Sequence, residues 1–105
     1  MPKRIAFRMN LNPGQAAEYE RRHDAIFPEL ATALKQAGVS DYTIWHDPES
    51  EHLFAILTLS DQHTLDRLPQ TEIMQRWWKH MADIMETDAR NVPTQVPLKR
   101  VFRLE

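Results

Sequence analysis

The stretch HLFAILTL, residues 52–59, carries the strongest structural signal in this sequence. An apolar run of this length that follows turn residues is typical of a β-strand. Alternate side chains from Leu53 onward are apolar, and so are Phe54 and Ile56 between them. Helices of the same chain cover only one face of an antiparallel sheet, so the second face needs another cover. We therefore expect a homodimer packed sheet to sheet; the alternative is that residues 88–98 fold over this face.

The residues around this strand alternate between strand and helix signals. Residues 39–47 are rich in β-branched and aromatic side chains and join 52–59 through the turn 48–51, which predicts a hairpin. Near the chain start, apolar and polar residues alternate with a period of two, which predicts another strand. We expect strands at residues 4–11, 39–47, 52–59 and 99–104, helices at 12–26, 28–37, 60–68 and 72–87, and an ordered loop at 88–98.

That order, β-α-β-β-α-β, is the ferredoxin-like split pattern of the α+β class, with an antiparallel sheet and helices on one face. Residues 1–105 are expected to form a single domain, because two cores of half this length would be too small to be stable.

Proline, glycine and capping residues set the expected helix limits. Asn12 is the expected N-cap of the first helix, with Pro13 at its first position. Pro28 should interrupt and restart the helix, and Gly38 is suited to the position just after a helix end. Thr71 is expected to cap the last helix.

The composition excludes several kinds of site and partner. No cysteine occurs, which excludes disulfides and Cys-based zinc sites, and 2 glycines are too few for a Gly-rich phosphate loop. A formal net charge of −2 argues against a nucleic-acid partner. No run approaches the roughly 20 apolar residues of a membrane span, and no signal peptide is evident. We expect a cytoplasmic protein with no membrane partner. No metal-ligand spacing is present, so we expect no metal and no other cofactor.

Tyr19 and His23 lie four residues apart in the first predicted helix and therefore share a face. Histidine titrates near neutral pH, so such a pair can do acid–base chemistry, although the spacing by itself is more often structural. Arg21 and Arg22 are interpreted as a solvated face, with Glu18 supporting the helix through an i, i+4 pair to Arg22.

Trp77 and Trp78 are adjacent in the last predicted helix. Neighbouring helical residues point about 100° apart, so both indoles cannot enter one buried stripe. We expect one indole in the core and the other in a pocket; the alternative is that both are core or interface anchors. A pocket indole suits a sugar, whose C–H faces stack on aromatic rings. Tyr42 in the second strand is a candidate for a further wall, and Trp45 should face the other side of that strand.

Several of these stretches occur together in one known family. They are Glu18-Tyr19, Arg21-Arg22-His23, Ile26, Pro28-Glu29-Leu30, Tyr42, Ile44, Gln75-Arg76-Trp77-Trp78, Met81, Asp83, Val101-Phe102 and Leu104. Over residues 4–104 the chain resembles the L-rhamnose mutarotases, small dimeric α/β-barrel enzymes that interconvert sugar anomers.

The resemblance implies an isomerase that interconverts the α and β anomers of L-rhamnose by acid–base-catalysed opening and closure of the pyranose ring. It implies that His23 is the catalytic proton donor, and that Tyr19, Tyr42, Trp77 and Trp78 contact the sugar. It also implies a homodimer that forms a dimeric α/β barrel.

Two positions depart from the family pattern: Phe27 stands where Trp is common, and Trp45 where Tyr is common. Both remain aromatic, so they bear on the exact sugar more than on the chemistry. The general base stays open between Tyr42, a carboxylate, a water molecule, and His23 itself. Two alternatives remain: a mutarotase for another sugar such as L-fucose, or a dimeric α/β-barrel protein of the ligand-binding or monooxygenase type.

Overall fold

The computed structural model describes residues 1–105 and contains four strands, β1 (Lys3–Asn10), β2 (Val39–His46), β3 (His52–Leu59) and β4 (Val96–Leu98). Its helices are α1 (Ala16–Asp24), α2 (Pro28–Gln36) and α3 (Glu72–Met81), with a 3-10 helix at Leu65–Gln70. The strands form one sheet in the order β2-β3-β1-β4, and every neighbouring pair is antiparallel. The expected α+β class and antiparallel sheet are confirmed. None of the helices has both the length and the apolar character needed to span a bilayer.

β3 is a central strand, and its two faces differ in burial. Its alternate side chains from Leu53 to Leu59 are at most 3% exposed. The first two pack in a core with Leu30 of α2 and Met81 of α3, and the last two pack against partly buried residues that include Leu34 of α2. The outward residues Phe54 and Ile56 are only half-buried. We call these sides the inner and outer face of the sheet. The pattern in residues 52–59 therefore predicted both the strand and an incompletely covered outer face.

Residues 88–98 do not cover that outer face. Pro93 and Gln95 line a cavity together with the inner-face side chain Phe7, and the last three residues of the segment form β4. β4 pairs with β1, with Pro97 opposite Phe7. The alternative in which this loop folds over the outer face is therefore wrong.

Several of the predicted helix limits are confirmed. Pro28 lies in the first turn of α2, where its missing N–H costs nothing. Gly38 follows the helix end with φ +94°, in the left-handed region that glycine adopts readily. Thr71 caps α3, since its hydroxyl oxygen accepts from the N–H of Met74 at 3.4 Å.

α1 begins at Ala16, so the prediction that Asn12 caps it and Pro13 opens it is wrong. The side-chain amide of Asn12 instead donates to the carbonyl oxygen of Asp83 at 3.3 Å, and its backbone N–H donates to that of Ile84 at 2.9 Å. Asn12 therefore ties the end of β1 to the segment after α3, a long-range use that its capping propensity does not reveal.

α3 ends at Met81, whereas the helical period predicts a helix to residue 87. Ile84 and Met85 are buried, as the period suggests, but Met85 forms an antiparallel bridge with Leu11. Backbone pairing with the end of β1 replaces helical hydrogen bonds here, and the same apolar side chains still reach the core.

The last predicted strand and the short helix are misplaced. The strand expected at 99–104 is wrong, because β4 ends at Leu98 and the apolar residues beyond it, Phe102 among them, are largely exposed. The helix expected at 60–68 is a 3-10 helix that begins at Leu65 and ends at Gln70. Ser60 does not cap it, because Thr64 occupies the N-cap position, and the N–H of Ser60 donates to the carbonyl oxygen of Gly38 at 2.9 Å.

Candidate active site

α1 and α3 bring three aromatic rings into direct contact. Tyr19 and His23 share the inner side of α1, with ring centroids 4.3 Å apart and planes tilted by 33°. Trp77 of α3 meets the His23 ring edge-on, at 5.3 Å and 87°. Tyr19 and Trp77 are 7% and 6% exposed, whereas His23 is half-buried. The histidine is therefore held between two buried rings with part of its own ring accessible.

The hydrogen bond of the His23 ring fixes which nitrogen is free. Its Nδ1 lies 2.9 Å from the backbone carbonyl oxygen of Tyr19. A carbonyl only accepts, so Nδ1 carries a proton in both charge states, and the acid–base position is Nε2.

Burial also sets the charge state of this ring. Burial lowers the pKa of His23 below its ordinary value of 6.5, against weaker opposing effects from the hydrogen bond to Tyr19 and the charge of Asp24. Near neutral pH the ring is therefore mainly neutral, with a lone pair on Nε2.

The two tyrosines are strongly desolvated. Burial raises the pKa of Tyr19, and it raises the pKa of Tyr42 to about 12. Tyr42 is 38% exposed as a residue, but it lines both cavities described below and enough protein surrounds it to disfavour the phenolate. Both hydroxyls stay protonated at neutral pH and can donate hydrogen bonds to a ligand.

The two tryptophans differ in how deeply they are packed. Trp77 belongs to the main core cluster, where Phe27 contacts it edge-on at 5.1 Å. Trp78 is half-buried and packs against that cluster. The expected 100° separation of neighbouring helical residues therefore places one indole inside and the other at the edge.

One cavity collects all five residues that the sequence predicted for the site. It has a volume of about 280 Å³ and lies between the inner face of the sheet and the helices. The predicted residues that line it are Tyr19, His23, Tyr42, Trp77 and Trp78. Most other lining residues are apolar, with Asp66 and Gln95 as further polar members. A larger space of about 590 Å³ between α1 and β2 shares Tyr19, His23, Tyr42 and Trp77 with it.

Phe27 and Arg22 are two neighbours of the site that were not among the predicted site residues. Phe27 packs on Trp77, and the guanidinium of Arg76 lies 5.7 Å from the Phe27 ring centre. Arg22 was interpreted as part of a solvated face, and its i, i+4 pair with Glu18 is present at 2.7 Å. Its side chain is only 13% exposed, however, because it also binds Asp83 at 2.7 Å. Asp83 lies far along the chain, and no local pattern links the two.

Comparison with known proteins gives consistent similarities over nearly the whole chain. A family model described as L-rhamnose mutarotase matches residues 4–104. The chain is 59% identical to the L-rhamnose mutarotase of Paraburkholderia phytofirmans over 100 residues, which are 95% of this chain and 94% of that protein. It is 58% identical to that of Rhizobium meliloti over 103 residues, 98% and 99% of the two chains. The crystal structure of an L-rhamnose mutarotase from Formosa agariphila superposes with a TM-score of 0.91 at 44% identity, covering 98% of this chain and 99% of that one.

Proposed function

This chain belongs to the L-rhamnose mutarotase family, and we propose that it interconverts the α and β anomers of L-rhamnose by opening and reclosing the pyranose ring. The reaction is an isomerisation. The observation that carries the proposal is the position of His23, whose Nε2 is free of protein partners beside Tyr19 and Trp77 in a cavity the size of a small ligand.

Ring opening requires two proton transfers. One proton goes to the ring oxygen as its bond to C1 breaks, and another leaves the anomeric hydroxyl as the C1 carbonyl forms. After rotation about the C1–C2 bond, closure on the other face reverses both transfers. We assign the first transfer to His23: protonated Nε2 donates to the ring oxygen on opening, and neutral Nε2 takes the proton back on closure. Because burial lowers the pKa of His23, the protonated ring is the minor form near neutral pH, but it is also a stronger acid than an ordinary imidazolium.

The second transfer needs a group that accepts the anomeric proton. Desolvation of Tyr42 disfavours it as that base, because its phenolate is scarce at neutral pH. The remaining candidates for this base are a water molecule, His23 itself after proton exchange, and the carboxylate of Asp66, which lines the cavity. Tyr19 and Tyr42 then act as donors to sugar hydroxyls, and Trp77 and Trp78 as the apolar wall that holds the ring.

The sugar preference can be tested with a matched pair of substrates. L-rhamnose is the 6-deoxy form of L-mannose, so the two differ by one hydroxyl at C6. An apolar wall favours the methyl group, because a buried hydroxyl without a partner is costly. We expect faster anomer exchange for L-rhamnose than for L-mannose, measured by saturation transfer between the α and β anomeric proton signals. L-fucose, which also carries a C6 methyl group but differs in its ring hydroxyls, completes the panel.

Other outcomes of this panel select the alternatives. Faster exchange of L-fucose than of L-rhamnose would identify L-fucose as the preferred substrate. No exchange of any sugar, together with a Soret band in the visible spectrum of the purified protein, would favour the ligand-binding or monooxygenase type of dimeric α/β-barrel protein. The visible spectrum of a heat-denatured sample serves as the control.

We propose that the working unit is a homodimer joined through the outer face of the sheet as a dimeric α/β barrel, with each chain a single ferredoxin-like domain. Trp45, the β2 partner of the half-buried Phe54, is 65% exposed, and Ile56 on the same face is also half-buried. The Nε of Arg8, whose β3 partner is Phe54, is shielded from solvent without a hydrogen-bond acceptor. A second copy would cover these apolar side chains and could supply that acceptor. The cytoplasmic location stays a prediction.

Ile56→Lys should separate such a dimer. Ile56 lies in the middle of β3 on the outer face, and a lysine there would place a charge in a desolvated interface. We expect the wild type to run as a dimer of 12.4 kDa chains in light scattering and the variant as a monomer. Gln36→Lys, on the exposed end of α2, is the matched control and should stay dimeric. A wild-type monomer at micromolar concentration contradicts the proposal.

A further inference from the structure

Arg22 makes four hydrogen bonds, and three of them leave its own helix. Its Nε donates to Glu18 one turn earlier in α1, at 2.7 Å. Its guanidinium also donates to the backbone carbonyl oxygen of His80 at 2.7 Å, and to both carboxylate oxygens of Asp83 at 2.7 and 3.2 Å. The side chain is 13% exposed, so this arrangement is well shielded on the arginine side.

The partners of Arg22 lie at the C-terminal end of α3. The carbonyl of His80 is one of the last in that helix, where carbonyls lack helical partners and a cation is favourable. Asp83 follows the helix end and is 67% exposed. The fork of the guanidinium matches both carboxylate oxygens, a bidentate geometry that fixes orientation as well as distance. The interaction therefore joins α1 to α3 at a defined separation.

The two joined helices carry the two halves of the proposed site. Arg22 is next in sequence to His23, while His80 contacts the Trp77 ring at 5.6 Å between centroids. α1 has little else to hold it: it spans nine residues, has no side-chain hydrogen bond at its N-cap, and buries only Tyr19 fully. The bonds of Arg22 to α3 and Asp83, made from the last turn of α1, therefore have a large effect on where the His23 ring lies.

We propose that Arg22 is a positioning residue, which sets the place of the proton donor on α1 relative to the tryptophan wall on α3 through its bidentate pair with Asp83. This inference rests on the proposed role of His23. Arg22 does not line either cavity and is assigned no contact with the sugar. Small displacements of a reacting group are costly, since a misplacement of about 1 Å can reduce a rate by roughly 100-fold.

Arg21 provides a matched control for this proposal. It is the same residue type, adjacent in α1, and it also binds Glu18, but it makes no bond to α3. We expect Arg22→Ala to reduce kcat by roughly 10- to 100-fold with KM close to the wild-type value, because the wall on α3 still binds the sugar. Arg21→Ala should keep the wild-type kcat. Equal reductions in the two variants would overturn the proposal.

Asp83→Asn tests the other end of the pair without truncating a shielded side chain. We expect this variant to have a lower kcat, as Arg22→Ala does. The double variant should be no slower than Arg22→Ala alone, because both substitutions break the same Arg22–Asp83 pair. A folded Asp83→Asn protein with wild-type kcat, or fully additive effects, would overturn the assignment. Because Asp83 is mostly exposed, this variant is expected to fold even if Arg22→Ala does not.

A spectroscopic readout separates displacement of the histidine from a general loss of stability. The centroid of the His23 ring lies 5.3 Å from that of the Trp77 ring, so its ring protons feel the indole ring current. Their NMR shift should change in Arg22→Ala and Asp83→Asn and stay unchanged in Arg21→Ala. Failure of the proposed role of His23 is distinguishable, because a folded His23→Ala protein would then keep its exchange activity. If that role holds, His23→Ala loses the activity, and the Arg22 and Asp83 variants test the positioning role of Arg22.

Discussion

Replacing His23 by alanine is expected to remove most of the anomer exchange, by roughly 100- to 10,000-fold, the usual contribution of a positioned acid–base group. The variant lacks Nε2, to which we assign the proton transfers with the ring oxygen, while Tyr19, Trp77 and the cavity remain in place. Saturation transfer between the α and β anomeric signals of L-rhamnose measures the exchange against the uncatalysed rate.

His63→Ala is the control for His23→Ala. His63 lies in the connection after β3 and lines neither cavity. It should retain wild-type exchange, and circular dichroism should show both variants folded. Wild-type exchange in a folded His23→Ala protein would remove His23 from the mechanism.

Trp77→Ala is expected to have the largest effect on stability, lowering the free energy of unfolding by about 3–5 kcal/mol. Trp77 is 6% exposed and packs edge-on against the rings of His23 and Phe27. Its removal leaves a cavity that these neighbours cannot fill without moving the proton donor. Urea denaturation followed by circular dichroism at a wavelength that reports helix content measures the loss.

Trp78→Ala provides the comparison on the same helix. Trp78 is half-buried and lines the cavity, so we expect a smaller loss of stability and a higher KM for L-rhamnose with a smaller change in kcat. Equal losses of stability in the two variants would contradict the assignment of Trp77 as the more deeply packed of the two indoles.

Local sequence patterns predicted the elements whose limits depend only on nearby residues. The hairpin of β2 and β3 and the start of α2 follow from periodicity, proline and glycine, because these act within a few residues. The five candidate site residues were also accessible to sequence reasoning. Periodicity placed Tyr19 and His23 on one helix face and made Tyr42 and one of the two tryptophans candidates for a pocket wall. The catalytic role of His23 and the sugar contacts of the other four residues came from the family resemblance.

Predictions failed where a residue is used by a distant part of the chain. Asn12 is a residue type that commonly caps helices, but its side-chain amide donates to the carbonyl oxygen of Asp83, and α1 begins at Ala16. Ile84 and Met85 keep a helical period, but the end of β1 takes their backbone groups. Long-range hydrogen bonds outweigh local propensities here, which amount to less than 1 kcal/mol per residue for ordinary residues.

The sequence by itself determined the two-faced character of residues 52–59 and the antiparallel α+β architecture, and it supplied His23 as the candidate acid–base group. Tertiary structure alone decided which nitrogen of His23 is free, that burial lowers its pKa, and that Arg22 faces Asp83 instead of solvent. Periodicity records which side of an element is apolar. Desolvation and hydrogen-bond geometry depend on which other elements pack against that side, and only the folded chain fixes them.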